Sequence, residues 1–432
     1  MNRTIIIAGA GHGGLSAAIN LAKNNFDVTI YEKMPEEDLG HDWYDFISMH
    51  TFDCIPLDMP DVNIEKFYST AFHNPSKDIK IINRCNPEHP NITMDRKEIL
   101  KHLIKSARDV GVKFIFNCEV KKAICKNDVV KGLVVIKDGE EKKVYADLVI
   151  DAAGMNSPVR KSLPKYYRIN HNFKSNETFT AYRAIFERKD DYTTDPEYSI
   201  FFYHNNKCGM DWVITQKDDI DVLIGSFGDL TQKEIDESLE DFKQSYSCIG
   251  DKILRGGYVA QIPIRRALPK FVYNGYAAIG DCVSMVEPLC GSGITMNFIA
   301  GKILADVIIK NSDKEYTKYV LWEYNYRYFT ELGNSKISDD ITKNFMIFAG
   351  AKKLDYMFRT RILSEHELCG GGKYSIAQIT EKALALVKNH SVVPNITKLL
   401  KEYKKVDSIT AFLPKEYDEA KIHKWINKYE SL

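Results

Sequence analysis

The eleven residues TIIIAGAGHGG, from Thr4 to Gly14, constrain this chain more than any other stretch. Thr4–Ala8 is a short β-branched, apolar run that ends at a glycine, the pattern of a buried strand. Gly9, Gly11 and Gly14 follow in G-x-G-x-x-G spacing, and Leu15, Ala18, Ile19 and Ala22 then recur at helical spacing. A second strand, DVTIY (27–31), ends at Glu32. Each part has a task. Gly9 permits a tight turn, Gly11 lets the backbone approach a pyrophosphate, and Gly14 lets helix and strand pack closely. The helix N-terminus brings free N–H groups and positive dipole to phosphates. Glu32, 18 residues after Gly14, is placed to accept hydrogen bonds from a ribose. The competing explanation is a chance glycine match. The strand before, the helix after and the acid closing the second strand place it far behind dinucleotide binding.

A nicotinamide dehydrogenase would continue in regular strand–helix alternation. Here residues 32 to about 95 are irregular, EKMPEEDLGHDWYDFISMHTFDC followed by proline-punctuated strands. A helix is predicted from Asp95, with Glu98 as its cap partner, Ile99, Leu100, Leu103, Ile104 and Ala107 on one face, and Gly111 as its stop. KFIFNCEV, VVKGLVVIK and KKVYADLVIDAAG read as three strands, the last two joined around Asp138-Gly139. A dinucleotide fold interrupted early and carrying such a meander points to FAD rather than NAD.

Gly-Asp occurs at 228–229, 250–251 and 280–281. The first two read as turns. Only Gly280-Asp281 ends an apolar strand, Tyr276–Ile279, and leads through Pro288, Gly291 and Gly293 into a helical run bearing Ile294, Phe298, Ile299, Ile303 and Leu304. A carboxylate at a strand end accepts hydrogen bonds from polyol hydroxyls, and FAD carries such a polyol in its ribityl chain. Glycines at the following helix N-terminus would bring N–H groups and dipole to the flavin's pyrimidine edge.

GAGHGG, Asp95-Arg96 opening a helix, DLVIDAAGMNSPVR and GDCVSMVEPLCGSGI stand in the same order as in flavoproteins of the p-hydroxybenzoate hydroxylase fold, which this chain resembles over residues 1 to about 330. Within that class it most resembles the geranylgeranyl reductase family. CGMDWVIT (208–215) carries that likeness through Gly209, Trp212 and Ile214, whereas Met210 and Thr215 depart from the family's aromatic and proline. The resemblance implies that Gly9, Ala10, Gly11, Gly13, Gly14, Glu32 and Lys33 hold the ADP half of FAD. It implies that Arg96 reaches the pyrophosphate, that Val120 offers backbone to the adenine, and that Gly154 lies beside the cofactor. Asp281 would bind ribityl, with Gly291, Gly293 and Ile294 lining the flavin and Trp212 the substrate cavity. Ala153-Gly154 stands where hydroxylases of this fold have Asp-Gly, which makes a standard NADPH hydroxylase less expected. No second G-x-G-x-x-G exists, because Met296 occupies the third position after Gly291 and Gly293, and this excludes a disulfide-reductase architecture.

The expected architecture is α/β (α+β overall), an FAD-binding Rossmann-like domain interrupted by a β-rich substrate domain. The first comprises residues 1–60, 95–165 and 266–312, the second 61–94 and 166–265, and a helical region spans 313–432. TFTAYRAIFER, YSIFFYH, DWVIT and DVLIGSF supply the strands of the β-rich part. Such a sheet would roof the flavin and wall a substrate cavity. The aromatic stripe Tyr316, Tyr319, Trp322, Tyr326 and Phe329 reads as helix packing, as does FMIFAGA (345–351). CGGGK (369–373) lacks Walker spacing and reads as a loop. KEYKK (401–405) reads as a solvated face.

Composition narrows the function classes. Lys+Arg and Asp+Glu both total 59 of 432 residues, so the chain offers no electrostatic footprint for nucleic acid. No apolar stretch approaches the ~20 residues of a membrane span, and the N-terminus has no signal-peptide layout. The nine scattered cysteines include no Cys-x-x-Cys pair, which argues for reduced thiols and against a metal site. A cytoplasmic protein follows, with peripheral membrane contact left open. Cys290, just before Gly291, is either a proton donor or a small filler beside the flavin, and filler is the better expectation. His41 and Asp42 lie in the loop after Glu32, near the flavin or at the surface. No other catalytic acid stands out.

The resemblance implies an FAD-dependent oxidoreductase that delivers hydride from reduced flavin to a C=C bond of a hydrophobic, isoprenoid-type substrate. Its electron donor would be external, NAD(P)H or a reduced carrier acting as redox partner. Two alternatives share the fold: a flavin-dependent aromatic hydroxylase or halogenase, and a prenyl-protein carrier of GDP-dissociation-inhibitor type that has no flavin.

Overall fold

The computed structural model describes residues 3–368 and 393–432, so CGGGK (369–373) lies outside the described residues. The chain opens with β1 (Thr4–Ala8), α1 (His12–Lys23) and β2 (Asp27–Tyr31). The long interruption holds β3 (Tyr44–Ser48), β4 (Glu65–Phe67), β5 (Ser69–His73), β6 (Lys80–Arg84) and β7 (Asn91–Asp95). Then come α2 (Arg96–Asp109), β8 (Lys113–Ile115), β9 (Cys118–Lys126), β10 (Val129–Lys137), β11 (Glu140–Tyr145), β12 (Leu148–Asp151) and α3 (Pro158–Ser162). The middle of the chain forms β13 (Thr178–Arg188), β14 (Tyr198–Phe202), β15 (Met210–Thr215), β16 (Asp219–Phe227), α4 (Gln232–Ser245) and β17 (Ile249–Pro263). After β18 (Val272–Tyr273) and β19 (Tyr276–Ala278) the described elements are helices: α5 (Ile294–Lys310), α6 (Lys318–Tyr328), α7 (Asn334–Ala349), α8 (Ala351–Arg359), α9 (Glu365–Leu368), α10 (Val393–Ala411) and α11 (Glu419–Glu430).

Four sheets organise these strands. The first runs β18-β19-β12-β1-β2-β8, and β1 pairs in parallel with both β12 and β2. Residues 5–8 of β1 are buried, as a central parallel strand covered on both faces requires. α1 and α5 pack together, and Gly301 comes so close to α1 that a Cβ there would stand 2.7 Å from the Ser16 side chain. The second sheet is the meander β11-β10-β9, whose Asp138-Gly139 turn has positive φ at both residues (54° and 80°), as a type I′ hairpin demands. The third is short, β3-β7-β4. The fourth has seven strands, β17-β13-β16-β15-β14-β5-β6, and recruits β5 and β6 from more than a hundred residues upstream of β14.

Period-2 alternation gives the seven-stranded sheet two different faces. Ala184, Phe186, Phe201, Val213, Val222 and Ile224 turn to one side and pack against Ile235 and Phe242 of α4. Tyr198, Ile200, Ile214, Trp212, Leu223 and Phe179 belong to clusters on the other side. That second face is what the site is built on.

Several sequence expectations need correction. KFIFNCEV divides between β8 and β9, and KKVYADLVIDAAG between β11 and β12, because in each run the chain leaves one sheet for another. Gly250-Asp251 is not a turn but lies within β17, near the strand's start opposite Arg188. α4 interrupts the β-rich segment, and its Thr231/Glu234 capping box is the signal that the strand pattern masked. Asp95 caps α2 by accepting from the N–H of Lys97 and Glu98, but the Glu98 carboxylate does not reciprocate; it accepts from Lys101. In the aromatic stripe, Tyr316, Trp322 and Phe329 are buried, Tyr326 is half-buried, and Tyr319 is 65% exposed. Among the described residues, no helix is long and apolar enough to cross a membrane.

Candidate functional site

Two spaces adjoin at Arg96, and the first opens where β1 and β12 end. The first is a cleft of about 480 Å³ bordered by Gly9, Ala10, Gly11, Glu32, Lys33, Arg96, Val120 and Gly154. The β1–α1 turn shapes it. Gly9 has φ +95°, and a Cβ on it would stand 2.5 Å from the Ala152 carbonyl oxygen. At Gly11 the nearest atom to an added Cβ is 3.7 Å away, and at Gly154 (φ +78°) nothing lies within 4 Å. Gly9 is therefore needed by the fold, whereas Gly11 and Gly154 leave room. Gly13 and Gly14 sit behind this wall: Cβ atoms there would meet Ile279 at 2.8 Å and Ala152 at 2.9 Å. The first N–H groups of α1 have no intrahelical partners. Glu32 is buried, and its carboxylate accepts from the N–H of Ala10 (2.8 Å) and of Met34 (2.9 Å), so it ties the turn to the end of β2.

The second space is a hollow in two connected parts, of about 170 and 350 Å³, which share Phe46, Ile47, Tyr198, Met210, Trp212, Cys290 and Ser292. Its inner part is floored by Gly291, Gly293 and Ile294, the loop entering α5, and roofed by Phe179, Ala181, Arg183, Trp212, Leu223 and Ile262 of the seven-stranded sheet. Gly291 has φ +73°, and it closes a tight loop in which its N–H donates to the Glu287 carbonyl and the Glu287 N–H to that of Ser292, both at 2.8 Å.

Arg96 borders both spaces. Its guanidinium is forked onto the buried Asp45 of β3, with Nε–Oδ2 at 2.8 Å and Nη2–Oδ1 at 2.6 Å. Burial alone would raise the Asp45 pKa, but the Arg96 charge and its hydrogen bonds bring it below the ordinary carboxylate value. Arg96 is thus locked as half of an ion pair, with Nη1 left over. A second locked arginine, Arg183, donates to Asp221 through Nε (2.9 Å) and Nη2, and lies between the Trp43 and Trp212 rings at 5.5 and 5.2 Å. Buried pairs of this kind are geometric fixtures more than sources of net charge.

Asp281 follows β19, deep in the fold and partly accessible. Its carboxylate takes no hydrogen bond from the described residues, and its pKa is raised by burial, which Arg96 partly offsets. His12, in the first turn of α1, is likewise unmatched: its Nε2 is buried without a partner, and burial followed by Arg96 lowers its pKa to about 4, so the ring is neutral. His41 stacks on Trp43 at 4.1 Å and is also held down to about 4, chiefly by burial, whereas Asp42 turns to Arg255 at 3.0 Å. Cys290 stands on the wall shared by both parts of the hollow. Its surface is exposed to this hollow, and desolvation by the surrounding chain, then Glu287, pushes its thiol up to about 12. Tyr198 is on the same wall, with its pKa also raised by burial. Met346, from a stretch expected only to pack helices, reaches the outer part of the hollow.

The structure places Gly291, Gly293, Ile294 and Trp212 on the hollow and Gly9, Ala10 and Gly11 on the cleft, with Arg96 on both, and Asp281 close enough to Arg96 to feel its charge. The features sequence reasoning missed are Trp43, Asp45, Arg183, Tyr198 and His12. The one available signal was an arginine in the middle of the largely buried strand TFTAYRAIFER. The residues present fit a flavin dinucleotide. The glycine turn leaves open space at Gly11 and Gly154, a helix N-terminus adjoins it, and Asp281 holds an unused acceptor.

Comparison with known proteins agrees with that fit. Residues 2–249 match the model of the FAD-binding domain family. The digeranylgeranylglycerophospholipid reductase of Sulfolobus acidocaldarius is 25% identical over 380 residues, covering 84% of this chain and 82% of that protein. A geranylgeranyl bacteriochlorophyll reductase-like protein from Thermoplasma acidophilum superposes with a TM-score of 0.75 at 17% identity, covering 94% of this chain and all of the other. The myxobacterial chondrochloren halogenase CndH shares the fold with a TM-score of 0.63 at 15% identity, covering 89% and 97% of the two chains.

Proposed function

The chain belongs to the FAD-binding domain family, and we propose that it is an FAD-dependent reductase that saturates a C=C bond in the isoprenoid part of a hydrophobic substrate. The observation that carries this reading is the connected apolar hollow between the sheet's inner face and Gly291–Ile294, immediately beside the dinucleotide cleft. The names of the curated relatives support the substrate class. In this reading, residues 1–60, 95–165 and 266–312 hold the cofactor, residues 61–94 and 166–265 hold the substrate, and residues 313–432 buttress both.

Bound FAD supplies the two-electron reducing chemistry. The chain does the rest. The β1–α1 turn, with Gly9, Ala10, Gly11, Lys33, Val120 and Gly154 around it, holds the ADP half, and Asp281 accepts hydrogen bonds from the ribityl hydroxyls. The first turn of α5 and the glycines before it would present N–H groups and a positive helix dipole to the pyrimidine part of a bound flavin. Phe179, Trp212, Leu223 and Ile262 exclude water and press an extended apolar chain against the floor of the hollow. Arg183, clamped by Asp221 between two tryptophans, keeps Trp212 in place. Two exchangeable protons stand on the shared wall, at Cys290 Sγ and Tyr198 Oη, and both groups stay protonated at neutral pH. Ile253, Leu254 and Val259 are exposed on β17, whose Ala260 and Ile262 wall the hollow, and this supports loading from a membrane surface by peripheral contact.

The test is anaerobic. The purified, chemically reduced protein is mixed with a polyprenyl substrate, and products are read by mass spectrometry. A gain of two hydrogens per saturated bond, matched by flavin reoxidation, is expected. Fully reduced flavin that stays reduced, with unchanged substrate, would overturn the reading.

A further inference from the structure

The dinucleotide cleft is short of positive charge. Lys33 and Arg96 on its lining are formally balanced by Glu32 and Glu119. Arg96 is moreover paired with Asp45, with Nη2–Oδ1 at 2.6 Å. FAD carries a doubly negative pyrophosphate, and the N-terminus of α1 offers only about half a positive charge to meet it. Among the described lining residues, only His12 can gain a positive charge to change this balance.

His12 opens α1 directly after Gly11, inside the glycine turn itself. Its ring centroid lies 6.2 Å from that of Phe298, so α5 presents it with an uncharged face. The charged groups that act on it are Arg96 of α2 and Asp45 of β3, and they pull in opposite directions. Nε2 is sealed from solvent with no partner among the described residues, which leaves Nδ1 as the nitrogen that can meet a ligand in the cleft. Burial, then Arg96, holds the pKa down to about 4, so the protein's own groups keep the ring neutral. A phosphate beside the ring acts the other way, because a nearby anion favours the charged form. The protonated ring brings the missing charge and donates a charge-assisted hydrogen bond. His41 feels the same Arg96 and Asp45, but it stacks on Trp43 and is not on the cleft lining. Asp281 also feels Arg96, and on accepting from ribityl hydroxyls it would release a proton, the opposite sign.

We propose that this chain binds FAD together with one proton, which goes from solvent to His12 and makes that side chain a ligand of the pyrophosphate. No covalent bond other than the N–H changes, and no electron moves. The proposal rests on FAD occupying the cleft, and its test separates the two. FAD would be titrated into flavin-free protein at pH 6, 7 and 8, with binding read by fluorescence quenching. Affinity should fall as pH rises, by up to about tenfold per pH unit, because the complex holds one proton more than the free protein. Calorimetry at pH 6 in two buffers of different ionisation enthalpy should count close to one proton taken up per FAD, which itself has no group titrating in this range. His12→Asn should abolish the uptake and weaken binding at pH 6 about tenfold. His12→Lys, with a permanent charge, should abolish the uptake and keep binding at pH 8. His41→Asn should leave the uptake unchanged. If the His12 variants fail to fold, the wild-type pH profile and proton count decide alone. Equal affinity at pH 6 and 8 without proton uptake would overturn the role of His12 and leave the cofactor site standing. Uptake that persists in His12→Asn, or that vanishes in His41→Asn, would overturn it as well. No FAD bound at any pH would overturn both.

Discussion

The substitution Asp281→Asn should move the stability of the flavin-free and flavin-loaded protein in opposite directions. Among the described residues the partly accessible carboxylate takes no hydrogen bond, burial raises its pKa, and Arg96, itself paired with Asp45, partly offsets that cost. A buried group left unsatisfied costs about 1–3 kcal/mol, and a charge costs more than an amide. The change to a carboxamide removes the charge and keeps a polar group, so the flavin-free variant should gain about 1 kcal/mol. At about 2 cal/mol/K of unfolding entropy per residue, over 432 residues, that is a rise in melting temperature of about 1 °C. The sign has a pH signature. The folded pKa of Asp281 lies above its unfolded value, so its penalty is absent below the usual carboxylate range and grows as pH rises through it. The variant's advantage should therefore be present at pH 7 and vanish in acid. With flavin the order inverts. A hydrogen bond to a charged acceptor contributes about 1.5–3 kcal/mol against about 0.5–1.5 for a neutral one, and a difference near 1.4 kcal/mol is tenfold in affinity. The assays are differential scanning fluorimetry of flavin-free protein between pH 4 and 7, and FAD titration by fluorescence quenching. A flavin-free variant that melts below the wild type, or FAD affinity unchanged within twofold, would refute the placement of the ribityl hydroxyls at Asp281.

The remaining predictions concern the turn, the clamp and the thiol. Gly9→Ala forces a Cβ to 2.5 Å from the Ala152 carbonyl at φ +95° and should lower the melting temperature, whereas Gly11→Ala, with 3.7 Å of clearance, should leave folding intact and weaken FAD binding; circular dichroism and flavin content after dialysis separate the two. Asp221→Ala leaves the Arg183 guanidinium buried without its partner and should cost about 3–5 kcal/mol in urea unfolding; a loss under about 1 kcal/mol would mean that solvent reaches Arg183. Cys290→Ser should keep flavin and change turnover by less than tenfold, about 1.4 kcal/mol in barrier. A larger loss at normal flavin content would assign the proton donor to Cys290.

Sequence and tertiary structure determined different parts of this molecule, and the division follows the range of the interactions. Gly9, Gly11, Gly14, Glu32 and the Asp281–Ile294 loop were legible because their tasks are local. A positive φ, a helix N-terminus and an acid at the end of the next strand all act within a few residues, so spacing alone reports them. The β10–β11 hairpin came from the same kind of signal, an Asp-Gly turn between β-branched runs, whereas the points at which the chain leaves one sheet for another on either side did not. The walls of the hollow were not legible. Trp43 and Asp45 come from the irregular interruption, Arg183 and Asp221 from neighbouring strands 38 residues apart, and Thr70, Asn83 and Asn91 from two sheets. Along any one strand, an inward Arg or Asn looks like an outward one, because alternation specifies a face but not which face meets another element. Only pairing between distant strands decides that Arg183 lies between two tryptophans. The glycine turn that shapes the cleft is thus written in nearby residues, and the walls of the hollow exist only once the sheets have assembled over one another.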